Sequence, residues 1–239
     1  MTSQHNPPKM DRPSPGFIVR MVFNLLLIAV VLTGLLFVPA GRLDWPEGWI
    51  FLIGFFGFLL CYGVWALRND PSQLRERSKT GANVKAWDKI IMSLYSLVLI
   101  VLFPVCALSA VRFKGSSMPA ALEALGWIGI ALAGGIILWV MRTNTFASRM
   151  ARIQGDRGQT VVTGGPYRYV RHPMYLGNII LFTGIPFALG SLWGLIPGGL
   201  IVLLFSTRTA LEDRMLKREL PGYSEYAARV RFRLLPGIW

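Results

Sequence analysis

Histidine, cysteine and acidic residues are scarce in this chain. Its 239 residues include two histidines, two cysteines and 12 acidic residues against 25 basic ones. Two His and two Cys, far apart in sequence, do not form a tetrahedral zinc site, so no metal is expected. Cys61 and Cys106 both fall inside apolar runs, where they read as core residues and not as a disulfide framework. Charged residues are also few, at 15%, while 53% are hydrophobic. That balance excludes a disordered chain and marks an integral membrane protein.

Long apolar runs are what the chain does have. Six stand out, at 17–38, 49–67, 90–111, 124–141, 174–189 and 192–206. The first four are long enough to cross a hydrocarbon core, which takes about 20 helical residues. The last two are shorter, are split by Gly190 and Ser191, and contain Pro186 and Pro197. They read as a helical hairpin that does not fully span. The expected fold is therefore all-α and polytopic, with about six apolar helices. Residues 1–16 are polar and proline-rich and read as a disordered tail. Residues 17–141 read as a scaffold of transmembrane helices, because no cluster of titratable groups falls in an apolar run there. The loop at 68–89, opened by the turn signal Asn69-Asp70-Pro71, reads as solvated. Trp45, Trp49 and Trp65 sit at helix ends, where indoles favour the membrane interface.

The net charge of +13 raises the question of nucleic acid, and the positions of the charges answer it. Taking alternate loops together puts 22 of the 25 basic residues on one side and three on the other. That asymmetry follows the positive-inside rule. It predicts cytoplasmic termini and an even number of crossings. The basic excess then serves topology and anionic lipid heads, with no nucleic acid partner.

The remaining chemistry gathers in residues 142–239. The stretch Gly165-Pro166-Tyr167-Arg168-Tyr169-Val170-Arg171-His172-Pro173-Met174-Tyr175-Leu176-Gly177 places arginines, a histidine and three tyrosines at the start of an apolar helix. Such groups are costly at a bilayer unless they bind something. Pro173 suits a first helical turn, so His172 stands near a cap with free backbone donors. Gly177 would leave room for a flat ring, and the Gly164-Gly165-Pro166 turn would let backbone approach a ligand. Thr160-Val161-Val162-Thr163 reads as an extended piece. Arg208 and Glu212 stand four residues apart on one helical face. They form either a simple ion pair worth about 0.3–0.5 kcal/mol, or an ammonium acceptor beside a carboxylate-gripping fork. Asp213 adds local negative charge. The run Tyr223-x-x-Tyr226-x-x-Arg229-Val230 opens a tail expected to pack on the membrane face.

In order, these elements resemble the isoprenylcysteine carboxyl methyltransferase family and its bacterial relatives, which are similar to phospholipid N-methyltransferases. The shared pattern is G-x-Y-x-x-x-R-H-P-x-Y-x-G, a hydrophobic hairpin, an acidic pair at Glu212-Asp213, and Y-x-x-Y-x-x-R-V. It covers roughly residues 140–239. The resemblance implies a membrane enzyme, in a bacterial inner membrane, that uses S-adenosylmethionine. Family positions touching this cofactor fall on Gln154, Gln159, Thr160, Val161, Val162, Tyr167, His172, Pro173, Met174, Tyr175 and Glu212. The substrate-facing, catalytic arginine falls on Arg208. The implied acceptor is a lipophilic or prenylated small molecule bearing a carboxylate, reached from among the membrane lipids. Phospholipid or amine N-methylation is the nearest alternative. A sterol-type reductase using NADPH shares R-H-P-x-Y-x-G, but tends to have Asn where Met174 stands and Glu where Asn178 stands. A non-catalytic membrane scaffold is the alternative from outside enzymes.

Overall fold

The computed structural model describes residues 14–78, 84–113 and 118–239. Within them the chain is helical, with no strand. The helices are α1 (Pro15–Ala40), α2 (Pro46–Asn69), α3 (Pro71–Ser78), α4 (Ala86–Ala107), α5 (Ala120–Thr143), α6 (Pro173–Ala188), α7 (Leu195–Glu219) and α8 (Tyr223–Arg229). Five are long and apolar enough to cross a membrane: α1, α2, α4 with its extension to Arg112, α5 and α7. Proline opens α1, α2, α3 and α6, where its missing N–H would have no helical partner. Ser14 caps α1 by accepting the Phe17 N–H at 3.3 Å. Residues 14–16, expected to belong to a disordered tail, instead cap and open α1, and the rest of that segment, 1–13 with His5, lies outside the described residues.

The bundle exposes apolar side chains along its flanks, among them Val19, Val30, Val38, Ile53 and Leu203. A water-soluble surface rarely carries so much contiguous apolar area, whereas lipid covers it without cost. Inside, Leu36, Leu102, Cys106, Phe182, Ile185 and Ile201 join four helices in one core. Glycines let α5 and α6 touch backbone to backbone. A Cβ at Gly126 would stand 2.3 Å from the Ala188 nitrogen, and one at Gly177 would stand 2.9 Å from Ile137. Small residues at a helix contact are the usual membrane solution, since dispersion replaces the missing hydrophobic drive.

Several expectations change here. The second arm of the hairpin is not short: α7 runs on through residues 207–219 for 25 residues, about 37 Å at 1.5 Å per residue. Hydropathy saw only its apolar half. The helix continues because no breaker precedes Pro221 and because its polar groups find buried partners. Gly177 and Gly165 make room for α5 and not for a ligand: a Cβ at Gly165, where φ is +54°, would meet Thr143 Oγ1 at 2.5 Å. Cys106 is buried, but Cys61 faces outward from α2. Trp45 is no interface anchor; it is buried against Phe37, with ring centroids 5.9 Å apart.

Candidate active site

The chain reverses at each apolar helix. The ends of α2, α5 and α7 and the starts of α4 and α6 therefore gather at one end of the bundle. Between them, under the loop 144–164, lies a cavity of about 320 Å³. Gln154, Gln159, Thr160, Val161, Val162, Tyr167, His172, Met174, Tyr175, Arg208 and Glu212 all line it. Pro173 does not; it is fully buried at the first turn of α6. Thr160 and its neighbours to Thr163 adopt neither helix nor strand, and Thr160, Val161 and Val162 line the cavity while Thr163 does not.

The aromatic wall is continuous. Tyr175 lies parallel to His172, with centroids 5.8 Å apart and planes 10° apart. Phe205 packs beside Tyr175 at 5.7 Å and beside Tyr95 of α4 at 5.2 Å. The Tyr175 hydroxyl donates to Glu212, and the Arg208 guanidinium lies over the Tyr175 ring, 5.3 Å from its centre. Glu212 and Arg208 are thus joined through Tyr175 and not as the ion pair their spacing suggested.

Two buried carboxylates hold the cavity's shape. Asp88, in the first turn of α4, takes both prongs of Arg208, with Nε at 2.7 Å and Nη2 at 3.1 Å. It also accepts the Ala151 N–H at 2.7 Å, while Arg208 Nη2 donates to the Arg149 carbonyl at 2.9 Å. The fork expected to grip a substrate carboxylate is therefore already engaged. Asp213 is the second carboxylate. It receives Arg171 at 2.7 and 3.1 Å, the Tyr223 hydroxyl at 3.1 Å and Arg233 Nε at 3.1 Å. His172 Nε2 stands 3.3 Å from it. Asp213 is consequently neutralised and adds no free negative charge beside Glu212.

The same residues bind the tail. Arg171 and His172 donate backbone N–H groups to the carbonyls of Phe232 and Arg233 at 3.0 and 2.9 Å. Arg171 Nη1 reaches the Val230 and Arg231 carbonyls at 2.7 Å each. The tail thus closes over the start of α6. His172 meets Asp213 and Tyr223 where free cap donors were expected. Burial holds the hydroxyls of Tyr167, Tyr223 and Tyr226 above their ordinary pKa, and for Tyr223 the charge of Asp213 adds to burial. Gln154 uses both ends of its amide inside the loop, donating to Phe146 O at 2.6 Å and accepting from Arg157 at 2.7 Å. Asn144 fixes Tyr167 by donating to its hydroxyl at 2.7 Å.

Residues 122–221 match the model of the phospholipid methyltransferase family. Every residue expected at the cofactor falls inside that stretch. The chain is also similar to the cobalt-zinc-cadmium resistance protein CzcN of Cupriavidus metallidurans, at 31% identity over 119 residues, 49% of this chain and 51% of the relative. The nickel-cobalt-cadmium resistance protein NccN of Alcaligenes xylosoxydans xylosoxydans is 29% identical over 111 residues, 46% and 48% of the two chains. The chain thus spans about half the length of the curated relatives it matches. Among the described residues, no group of three or more His, Cys, Asp and Glu side chains gathers to hold a metal ion.

Sequence reasoning missed what the first half contributes. Asp88, Gln73, Arg77 and Tyr95 belong to the segments read as scaffold and solvated loop, yet Asp88 and Gln73 are fully buried. Gln73 donates to the Met141 carbonyl at 2.9 Å and accepts from the Tyr62 hydroxyl at 2.7 Å. Only the placement of Asp88 two residues before the apolar run at 90–111 hinted at burial.

Proposed function

We propose that this protein transfers a methyl group from S-adenosylmethionine to the carboxylate of a lipophilic, isoprenylcysteine-like acceptor at the cytoplasmic face of a bacterial inner membrane. The observation that carries this reading is that Glu212, Arg208 over the Tyr175 ring, Tyr167 and Phe205 line a single cavity and all fall within the stretch that matches a methyltransferase family. The chain's residues fit the donor. Glu212, the one acid lining the cavity among the described residues, suits its ammonium. The rings of Tyr175 and Tyr167 suit a sulfonium. The irregular backbone at 159–162 offers hydrogen bonds to an adenosine. The bound donor would supply an electrophilic methyl group.

The protein's own task is positioning. Tyr175, held between His172 and Glu212, keeps the aromatic wall in place, and Asp88 keeps Arg208 flat against it. Arg208 Nη1 makes no hydrogen bond among the described residues and so remains to orient an acceptor oxygen. A carboxylate has a reference pKa near 4 and is ionised at neutral pH, so no base is required. Phe205, Tyr95 and Tyr175 give the cavity an apolar wall, and a lipophilic acceptor lying against it would displace water. Opposite charges therefore meet without solvation to lose, and orientation supplies most of the rate.

A second reading, N-methylation of a phospholipid amine, is favoured by the family match and by the engagement of the Arg208 fork with Asp88. Rate against pH separates the two. A carboxylate acceptor gives a flat profile from about pH 6 to 9, whereas an amine gives one that climbs as its ammonium deprotonates. The donor is tested by equilibrium dialysis of the detergent-purified protein with labelled S-adenosylmethionine. Saturable binding is expected, weakened about tenfold or more in Glu212→Gln by loss of a charge-assisted contact. No binding to the folded wild type would refute the proposal.

A further inference from the structure

Five arginines line the cavity: Arg77, Arg149, Arg152, Arg171 and Arg208. Three have carboxylate partners. Arg152 meets Glu76 at 2.8 Å, Arg171 meets Asp213 at 2.7 Å, and Arg208 meets Asp88 at 2.7 Å. Arg77 and Arg149 have none among the described residues. Arg77 is the more telling. It points inward from α3, and among the described residues its hydrogen bonds are to the Met141 thioether sulfur, a weak acceptor, and a long one to the Ala147 carbonyl, both 3.4 Å. Burial pushes its pKa down; Tyr62 opposes this, and the nearby Arg149 adds a lesser push in the same direction as burial. Two cations that repel each other on a cavity wall are an unfavourable arrangement unless an anion sits between them. Arg149 is exposed, its carbonyl is fixed by Arg208, and Arg149 and Arg208 both lie within electrostatic reach of the Tyr95 hydroxyl.

We propose that Arg77 and Arg149 form an oxyanion subsite that holds the head of the lipophilic acceptor, a carboxylate or phosphate, on the α3–α4 side of the cavity. This deepens the proposed methyl transfer and rests on it for the acceptor's role. The subsite is separate from Glu212, which stands on α7 beside Tyr175. Its geometry explains why Arg208 can remain bound to Asp88: Arg77 and Arg149 supply most of the anion's donors, while Arg208 keeps the aromatic wall and offers the acceptor only its remaining Nη1. An arginine pair suits a planar or tetrahedral oxyanion better than one lysine would, because each presents a fork of donors. The aliphatic part of the acceptor would lie along Met92, Tyr95 and Phe205, which line the same cavity.

The test uses the full-length protein in detergent and calorimetric titration with four probes: dodecyl phosphate, laurate, inorganic phosphate and dodecanol. Saturable binding of dodecyl phosphate or laurate, at least tenfold tighter than dodecanol, is expected. The stronger of the two anions identifies the oxyanion. Inorganic phosphate binding as tightly as dodecyl phosphate would overturn the lipophilic acceptor. Arg77→Gln and Arg149→Gln should each weaken anion binding about tenfold, with S-adenosylmethionine affinity unchanged. Arg149 is exposed and its side chain makes no hydrogen bond among the described residues, so its variant tests the subsite without unfolding the core. Arg77→Lys should recover part of the affinity lost in Arg77→Gln. Anion binding unchanged in both glutamine variants refutes the subsite. So does a fall in S-adenosylmethionine affinity alone, which would assign the arginines to the donor. If the anion binds as expected but S-adenosylmethionine does not bind at all, the subsite stands and the methyltransfer reading falls.

Discussion

The Asp88–Arg208 pair offers the sharpest test of how this site is built. Asp88 is fully buried and Arg208 is 4% exposed, and the two share bonds of 2.7 and 3.1 Å. Replacing Asp88 by Ala leaves a guanidinium buried without its counter-charge and the Ala151 N–H without its acceptor. Breaking a buried pair from one side costs about 3–5 kcal/mol. For a chain of this size each kcal/mol moves Tm by about 2–4 °C, so a drop of about 6–20 °C is expected. Arg208→Met should cost about as much, for the converse reason. The double variant Asp88→Leu with Arg208→Met removes both charges together and should recover most of the loss, because an apolar pair carries no desolvation penalty. The assay is thermal unfolding of the purified protein in detergent, run as a double-mutant cycle. The expected coupling is about 3 kcal/mol. Single variants that each cost under about 1 kcal/mol, or costs that simply add, would refute the pairing and release Arg208 to serve the acceptor alone.

Two further expectations follow from packing and burial. Gly126→Val should separate α5 from α6, since a Cβ there would stand 2.3 Å from backbone. A loss of about 1–3 kcal/mol or more is expected. Gly135→Val, with nothing within 4 Å of its Cβ, should leave the melting temperature nearly unchanged; equal losses in the two would contradict the interface. The hydroxyls of Tyr167, Tyr223 and Tyr226 are held protonated in the fold, while the unfolded chain ionises its tyrosines near pH 10. The unfolded state therefore binds fewer protons above about pH 10, and stability should fall as pH rises beyond it, with no contribution from these groups below. Titration followed by phenolate absorbance should show these three ionising only with unfolding.

The all-helical membrane character was written in the hydropathy of the chain, because lipid leaves no other way to pair backbone groups within each segment. The R-H-P-x-Y-x-G run and Glu212 were equally legible, as rare polar chemistry in an apolar setting. Their shared cavity follows from chain reversal, which brings the start of α6 and the end of α7 together. What the linear order could not reveal is pairing at long range. Asp88 stands 120 positions before Arg208 and looks like a loop residue until α4 docks on α7. Asp213 looked like spare negative charge until Arg171 and Arg233 closed on it from segments 42 positions before it and 20 after it. The roles of Gly165 and Gly177 reversed for the same reason, since only packing decides whether the space beside a glycine is filled by a ligand or by a neighbouring helix. Composition and periodicity report which face each residue prefers. Which buried charge meets which is decided by the geometry of docked helices, because a charge in a low-dielectric interior takes the partner that tertiary contact brings within reach.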